Sequence, residues 1–246
     1  MGNLYHYTSV ETLYKILHNT EEEFIKLRAN YYKKMNDDVE CHYFANTVEE
    51  ILSELNNDCI NTDESKQNVV EPYIISFSKL EDSLPMWSMY GDDGKGVAIG
   101  FSHESISEAV ANYQKHRNSI ITKQCFCKLY DCKYWNKDEI LKEYVNKYMF
   151  NKECEKECEK ECSVNINDIH SISYLVKHPS FCYEQELRVV FLCNNNKPNY
   201  IELYVPQRAI NDIVCGPCVD EDFVKSVIPK KLQSLVRRSG VPYTNR

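Results

Sequence analysis

Long apolar runs are missing from this chain. The longest uninterrupted ones are roughly five residues, against the ~20 that a membrane-spanning helix needs, so no span is expected. Glycine is scarce, seven in 246 residues. Neither a Walker pattern nor G-x-G-x-x-G occurs, which removes the two common glycine-rich phosphate cradles. There is no G-x-S-x-G elbow and no H-E-x-x-H helix. The start, Met1-Gly2-Asn3-Leu4-Tyr5-His6, carries no basic segment followed by an apolar one, so no secretory leader is expected. With His at position six, the Gly2 acylation pattern fails as well. No Asn-X-Ser/Thr acceptor for glycosylation is present. The expected location is the cytoplasm.

Apolar residues make up 43% of the chain and charged ones 27%, enough to bury a core and too apolar for a disordered chain. The net charge of −8 disfavours bulk binding to nucleic acid; only a local basic patch, such as Lys230-Lys231 to Arg237-Arg238, would supply it. Cysteine, at twelve residues, is abundant. Without a leader or sequon these read as reduced thiols.

Strand-like and helix-like segments intermingle without strict alternation. Leu4–Ser9 reads as an aromatic strand, and Thr8 or Ser9 can cap a helix carrying Leu13, Ile16 and Leu17. Further strands are expected over 24–31, 71–77, 96–101, 125–130, 187–193, 200–205 and 210–215. Helices are expected over 40–55, 103–115, 137–160, 169–176 and 221–236, with irregular stretches at 56–71 and 78–95. The expectation is one α+β domain over 1–246, with a charged, Cys-rich helical insert around 137–163.

Several constellations could carry chemistry. Cys154, Cys158 and Cys162 fall on one helical stripe drifting about 40° per step; a metal pair is one reading, and a soluble helix using Cys as its small apolar residue is the plainer one. Cys215-Gly216-Pro217-Cys218 matches a dithiol motif by letter, yet sits late in the chain, where Gly-Pro serves equally as a turn. Cys125, Cys127 and Cys132 lack the paired spacing of a zinc ribbon.

His6 lies between two tyrosines, on a strand feeding a helix, a place where anionic ligands bind. Tyr183-Glu184-Gln185-Glu186-Leu187-Arg188 is the second candidate. Period two puts Glu184, Glu186 and Arg188 on one strand face, with Val189 and Phe191 turned into the core. Two carboxylates beside an Arg offer an acid/base or ribose-binding surface, or a plain ion network with Arg28 or Arg188. In Met86-Trp87-Ser88-Met89-Tyr90-Gly91, Trp87 and Tyr90 either stack on a planar ring or pin a loop to the core.

Taken in order, these segments resemble a bacterial domain-of-unknown-function family, number 2971 (DUF2971). The matching pieces are Leu4-Tyr5-His6-Tyr7-Thr8-Ser9, Met35-Asn36-Asp37 with Glu40, and Ile75-Ser76-Phe77-Ser78. Met86-Trp87-(x2)-Tyr90-Gly91, Gly96–Phe101, Tyr183-Glu184-(x)-Glu186-(x)-Arg188 and Ile213–Pro217 complete them. More distantly, a His-x-Thr first strand, a Ser-bearing middle strand, an aromatic loop and a late Glu-x-Glu are similar to the ADP-ribosyltransferase superfamily. That resemblance implies a mostly antiparallel central sheet, whole or split, flanked by helices, with NAD as substrate. It implies that His6, Thr8, Ser9 and Arg28 contact NAD, that Ser76 and Ser78 support the site, and that Tyr90, with Trp87 beside it, stacks on nicotinamide. Glu186, with Glu184, becomes the catalytic carboxylate. The expected function is transfer of ADP-ribose to a protein or nucleic acid, or NAD cleavage, in a toxin or anti-phage effector. A non-catalytic nucleotide sensor and a cysteine-based metal or redox protein are the alternatives.

Overall fold

The computed structural model describes residues 2–18, 23–34, 40–54, 72–119, 125–150, 172–193 and 198–242. The cysteine stripe 154–162 and the turn at 35–38 lie outside them. The architecture is α+β: an open, mostly antiparallel mixed sheet flanked by helices.

Strand β1 (Asn3–Thr8) occupies the middle of the sheet. Its side chains alternate: Leu4 enters the main core, whereas Tyr5 and Tyr7 pack on the opposite face. Ser9 caps helix α1 (Val10–His18) by accepting from the Thr12 backbone N–H at 3.2 Å. Leu13, Ile16 and Leu17 of α1 enter the main core, as their spacing predicts. Strand β2 (Phe24–Tyr31) follows, and helix α2 (Glu40–Glu54) buries Phe44, Val48, Ile51 and Leu52 in a separate cluster.

Strand β3 (Pro72–Ser78) organises the rest. Along one edge it pairs with all of β8 (Glu186–Cys193), from Pro72↔Leu192 to Ser78↔Glu186. Its other edge is shared. β2 pairs there with Tyr73 and Ile74, and β1 pairs at Ser78. Between those two points β1 and β2 diverge, and the sheet forks. Strand β4 (Val97–Ser102) lies antiparallel to β1. Ser102 then accepts from Ser105 N at the start of helix α4 (His103–Ser119), whose Ile106, Ala109 and Val110 are buried in the main core. β5 (Cys125–Asp131) extends the sheet beyond β8, and β9 (Tyr200–Pro206) pairs with β2. On the other side β10 (Ile210–Cys215) pairs with β4, and the short β11 (Val236–Arg238) runs parallel to β10. A small parallel pair, β6 (Lys133–Tyr134) and β7 (Val176–Lys177), stands apart.

Four expectations change. The stretch 78–95 contains a helix, α3 (Leu84–Tyr90), started by Pro85 in its first turn and ended at Gly91. The helix from Lys137 is capped by Asn136 and Glu139 as α5 (Lys137–Ile140), then widens to π-helical geometry over Leu141–Phe150. Of the helix expected over 169–176, residues 169–171 lie outside the described residues; 172–173 are helical, and a turn at 174–175 then leads into β7. The expected helix 221–236 stops at Ser226 as α6 (Glu221–Ser226), because Pro229 lacks the N–H to continue it; a 3-10 turn and β11 follow. Close backbone approach does explain a glycine in the 96–100 segment: a Cβ on Gly96 would lie 2.2 Å from the Thr8 carbonyl oxygen.

The reduced-thiol expectation fails at Cys193, which is disulfide-bonded. Cys127, Cys132, Cys182, Cys215 and Cys218 form no disulfide. Burial pushes the Cys215 thiol up to about 12, the opposite of a reactive dithiol. Among the described residues no group of three or more His, Cys, Asp or Glu could hold a metal, and no helix is long and apolar enough to cross a membrane.

Candidate functional site

A cavity of about 880 Å³ lies in the fork. Its walls are Tyr5–Thr8 of β1, Lys26–Arg28 and Asn30 of β2, and Ile74–Ser78 of β3. Ser9, Thr12, Lys15 and Ile16 at the α1 end, Met86, Ser88, Met89 and Tyr90 of α3, Asp92 and Asp93 after it, and Lys177, Glu184, Glu186, Arg188 and Glu202 line the rest. The volume falls within the roughly 300–1,000 Å³ usual for small-molecule sites.

His6 bridges the fork. Its Nδ1 lies 3.0 Å from the Ser76 carbonyl oxygen. A carbonyl only accepts, so Nδ1 carries the proton and Nε2 holds the lone pair. Burial lowers the His6 pKa below the ordinary histidine value, and the ring is neutral at pH 7.

The polar stripe on β3 and β8 follows from strand period two. Ser76 faces Arg188 across the ladder, and Ser78 faces Glu186. Val189, Phe191, Ile75 and Phe77 turn the other way, into the core. The Ser76 hydroxyl is buried without a hydrogen-bond partner among the described residues. The Ser78 hydroxyl is spent on structure: it donates to the Glu184 carbonyl at 2.6 Å and accepts from Leu80 N at 3.0 Å.

The strand face begins later than the sequence implies. β8 starts at Glu186, and Glu184 ends a 3-10 turn (Pro179–Glu184). Gln185 between them adopts a left-handed conformation with φ 44°. That single residue re-aims the chain, so both carboxylates still reach the cavity.

Four charges meet there almost without water. Arg188 Nε donates to Glu186 Oε1 at 2.8 Å, and its second nitrogen reaches Oε2 at 3.0 Å. Lys177 Nζ donates to Glu186 Oε2 at 2.8 Å and also to Glu184 Oε2. The Tyr90 hydroxyl takes Glu184 Oε1 at 2.7 Å. Lys177 is 1% exposed, Arg188 1% and Glu184 2%. Burial opposes charge on Glu186, yet Arg188 and Lys177 outweigh it and hold its carboxyl down at about 2. At Glu184 burial prevails and raises the carboxyl pKa, with Lys177 pulling the other way. Burial and the Glu184 charge also keep the Tyr90 hydroxyl protonated.

Among the residues expected at the site, His6, Thr8, Ser9, Arg28, Ser76, Ser78, Tyr90, Glu184 and Glu186 all line the cavity. Trp87 does not. It is fully buried, packs edge-on against Tyr7 at 4.8 Å and donates through Nε1 to Asp82 at 2.7 Å. Asp82 also accepts from Ser239 Oγ and Gly240 N, both at 2.7 Å, so Trp87 ties α3 to the C-terminal segment. Arg28 pairs with Glu202 at 3.6 Å and stacks over Tyr200; the ion network of Glu184 and Glu186 uses Arg188 and Lys177 instead. In the late basic stretch, Arg237 is bound by Asp212 and Glu81.

Lys177 escaped the sequence reading. Only a charged residue in the apolar setting Tyr174-Leu175-Val176 hinted at it.

Residues 86–189 match the family model described as "Protein of unknown function (DUF2971)". The resemblance seen in the sequence is thus shown over that stretch. The matched stretch carries Tyr90, Lys177, Glu184, Glu186 and Arg188, the charged wall of the cavity. The β1 and β3 walls, with His6 and Ser76, lie outside the matched stretch. No curated protein and no solved structure matches the chain.

Proposed function

We propose that the fork cavity binds NAD and that the chain breaks the nicotinamide–ribose bond, passing ADP-ribose to a macromolecule or to water. One observation carries the reading. His6, Tyr90 and the Glu184/Glu186 pair, far apart in sequence, line a single cavity of ligand size. The sheet is also forked, in keeping with the split sheet of an ADP-ribosyltransferase-like fold. Lys15, Lys26 and Arg28 line the same cavity, where a pyrophosphate would compete for them with their present partners, Glu11 for Lys15 and Glu202 for Lys26 and Arg28.

In this reading the C1′–N bond breaks and its electron pair leaves with nicotinamide. Positive charge then spreads over C1′ and the ring oxygen of the ribose. The Glu186 carboxylate, held ionised, and Glu184 beside it stabilise that charge more in the transition state than in the bound substrate. Neutral His6 accepts a ribose hydroxyl at Nε2, and the Tyr90 ring offers a face to nicotinamide. The acceptor's lone pair closes on C1′ and its proton is released. An effector role, as a toxin or an anti-phage protein, is implied by the resemblance alone.

A second reading is favoured by one observation: every oxygen of Glu184 and Glu186 already has a partner within the chain. Such a saturated network suits a nucleotide sensor that binds without turnover. Incubation with NAD separates the two. Nicotinamide release, or label transferred to an acceptor, supports the enzyme; saturable binding with no release supports the sensor; neither binding nor release overturns both.

A further inference from the structure

The proposed reaction gives Lys177 no step of its own, and its situation is costly. It is a fully buried lysine, on a two-strand flap apart from the main sheet, and it lines the cavity. Buried lysines are rare, because desolvating an ammonium is expensive and an apolar residue of similar volume often serves stability as well or better. Arg188 alone already gives Glu186 two hydrogen bonds. Glu186 by itself therefore does not call for a second cation.

The neighbourhood does. The groups facing Glu184 are the Tyr90 hydroxyl from α3, Lys177 from β7 and Glu186 from β8. The groups facing Glu186 are Arg188 from its own strand, Lys177, and the Tyr134 hydroxyl from β6, which accepts from the Glu186 backbone N–H. Without Lys177 two buried carboxylates would face each other across a site holding one cation. Like charges in that position do not both stay ionised; the pair keeps a proton. The ammonium touches both. It sits over the Phe181 ring, with Nζ 5.1 Å from the centroid, which favours the position it holds.

We propose that Lys177 is a positioning residue, whose ammonium clamps Glu184 to Glu186 and keeps both charged and aimed at the cavity. Its kinetic consequence rests on the NAD reading; its effect on the carboxylates does not. The test uses the full chain as wild type, Lys177→Met and Lys177→Arg, with ¹³C-carboxyl NMR of labelled glutamate and nicotinamide release across pH. In K177M one carboxyl of the pair titrates at least ~1 pH unit higher than in wild type. The kcat falls at least ~10-fold at pH 7, its acid limb moves up by a similar amount, and KM changes less than ~3-fold. K177R restores most of both.

A K177M carboxyl titration identical to wild type overturns the proposal. A shifted titration in a protein that never turns over NAD keeps the clamp and removes the NAD reading instead. Where K177M does not fold, K177M/E184Q removes the two opposite charges together and folds. Failure of that double variant to fold makes Lys177 a packing element and overturns the proposal.

Discussion

The Tyr90 hydroxyl donates to Oε1 of Glu184 at 2.7 Å, joining helix α3 to the turn before β8 across 94 positions of chain. This bond fixes one oxygen of a carboxylate that burial would rather see neutral. Tyr90→Phe removes it without changing shape. A hydrogen bond to a charged group is worth about 1.5–3 kcal/mol. Urea unfolding of Y90F is expected to show a loss in that range, and nicotinamide release a fall of about tenfold. A variant as stable as wild type would show that the bond is not formed in solution.

Glu186→Gln separates catalysis from binding. The amide keeps the volume and loses the charge that would face the ribose cation. The expected result is a fall in kcat of at least ~100-fold with NAD affinity within a few-fold, read by nicotinamide release and calorimetry. Full NAD-consuming activity in E186Q rules out the catalytic assignment. Stability falls too, because Arg188 is left buried with a weaker partner.

His6 gives a pH signature. Its folded pKa is depressed, so the stability it contributes is present above the unfolded value, ~6.5, and is lost as pH falls through the lower folded value. Glu186 acts in the same direction further into acid, between the ordinary carboxyl range and about 2. Imidazole ¹⁵N shifts are expected to report the Nδ1–H tautomer at pH 7 and a midpoint below 6.5. His6→Gln is expected to flatten the upper part of the acid-stability curve, measured by thermal melting from pH 7 to 5.

Trp87 and Asp82 form a clasp outside the cavity. Trp87→Ala empties a fully buried site and is expected to cost about 3–5 kcal/mol. Asp82→Ala leaves the Trp87 indole N–H, Ser239 and Gly240 without their acceptor and is expected to destabilise as well. Trp87→Phe, which keeps most of the packing, is expected to leave NAD binding within twofold. A large loss of affinity in W87F would return the indole to the ligand site.

Gly96→Ala tests the junction between β1 and the turn after α3. The added carbon would meet the Thr8 carbonyl at 2.2 Å, and backbone does not yield there cheaply. Loss of soluble protein, or a drop of about 2 kcal/mol or more in stability, is expected. A wild-type melt would mean the two segments stand further apart.

The local elements were legible in the sequence because their causes are local. Alternation at Val189 and Phe191, the Leu13-Ile16-Leu17 stripe and the Ser9 cap each act within a few residues. The same period two placed Glu186 and Arg188 on one strand face; the pairing of β8 with β3 then set them opposite Ser78 and Ser76. Only tertiary structure decided the fork between β1 and β2, because pairing along the β3 edge depends on strands from distant parts of the chain. It alone decided that Trp87 is buried and Tyr90 reaches the cavity: the two stand about one turn apart on the same side of α3, and the segments they meet come from distant parts of the chain. And it alone brought Lys177 between Glu184 and Glu186, because no short-range pattern records which cation a buried carboxylate will meet.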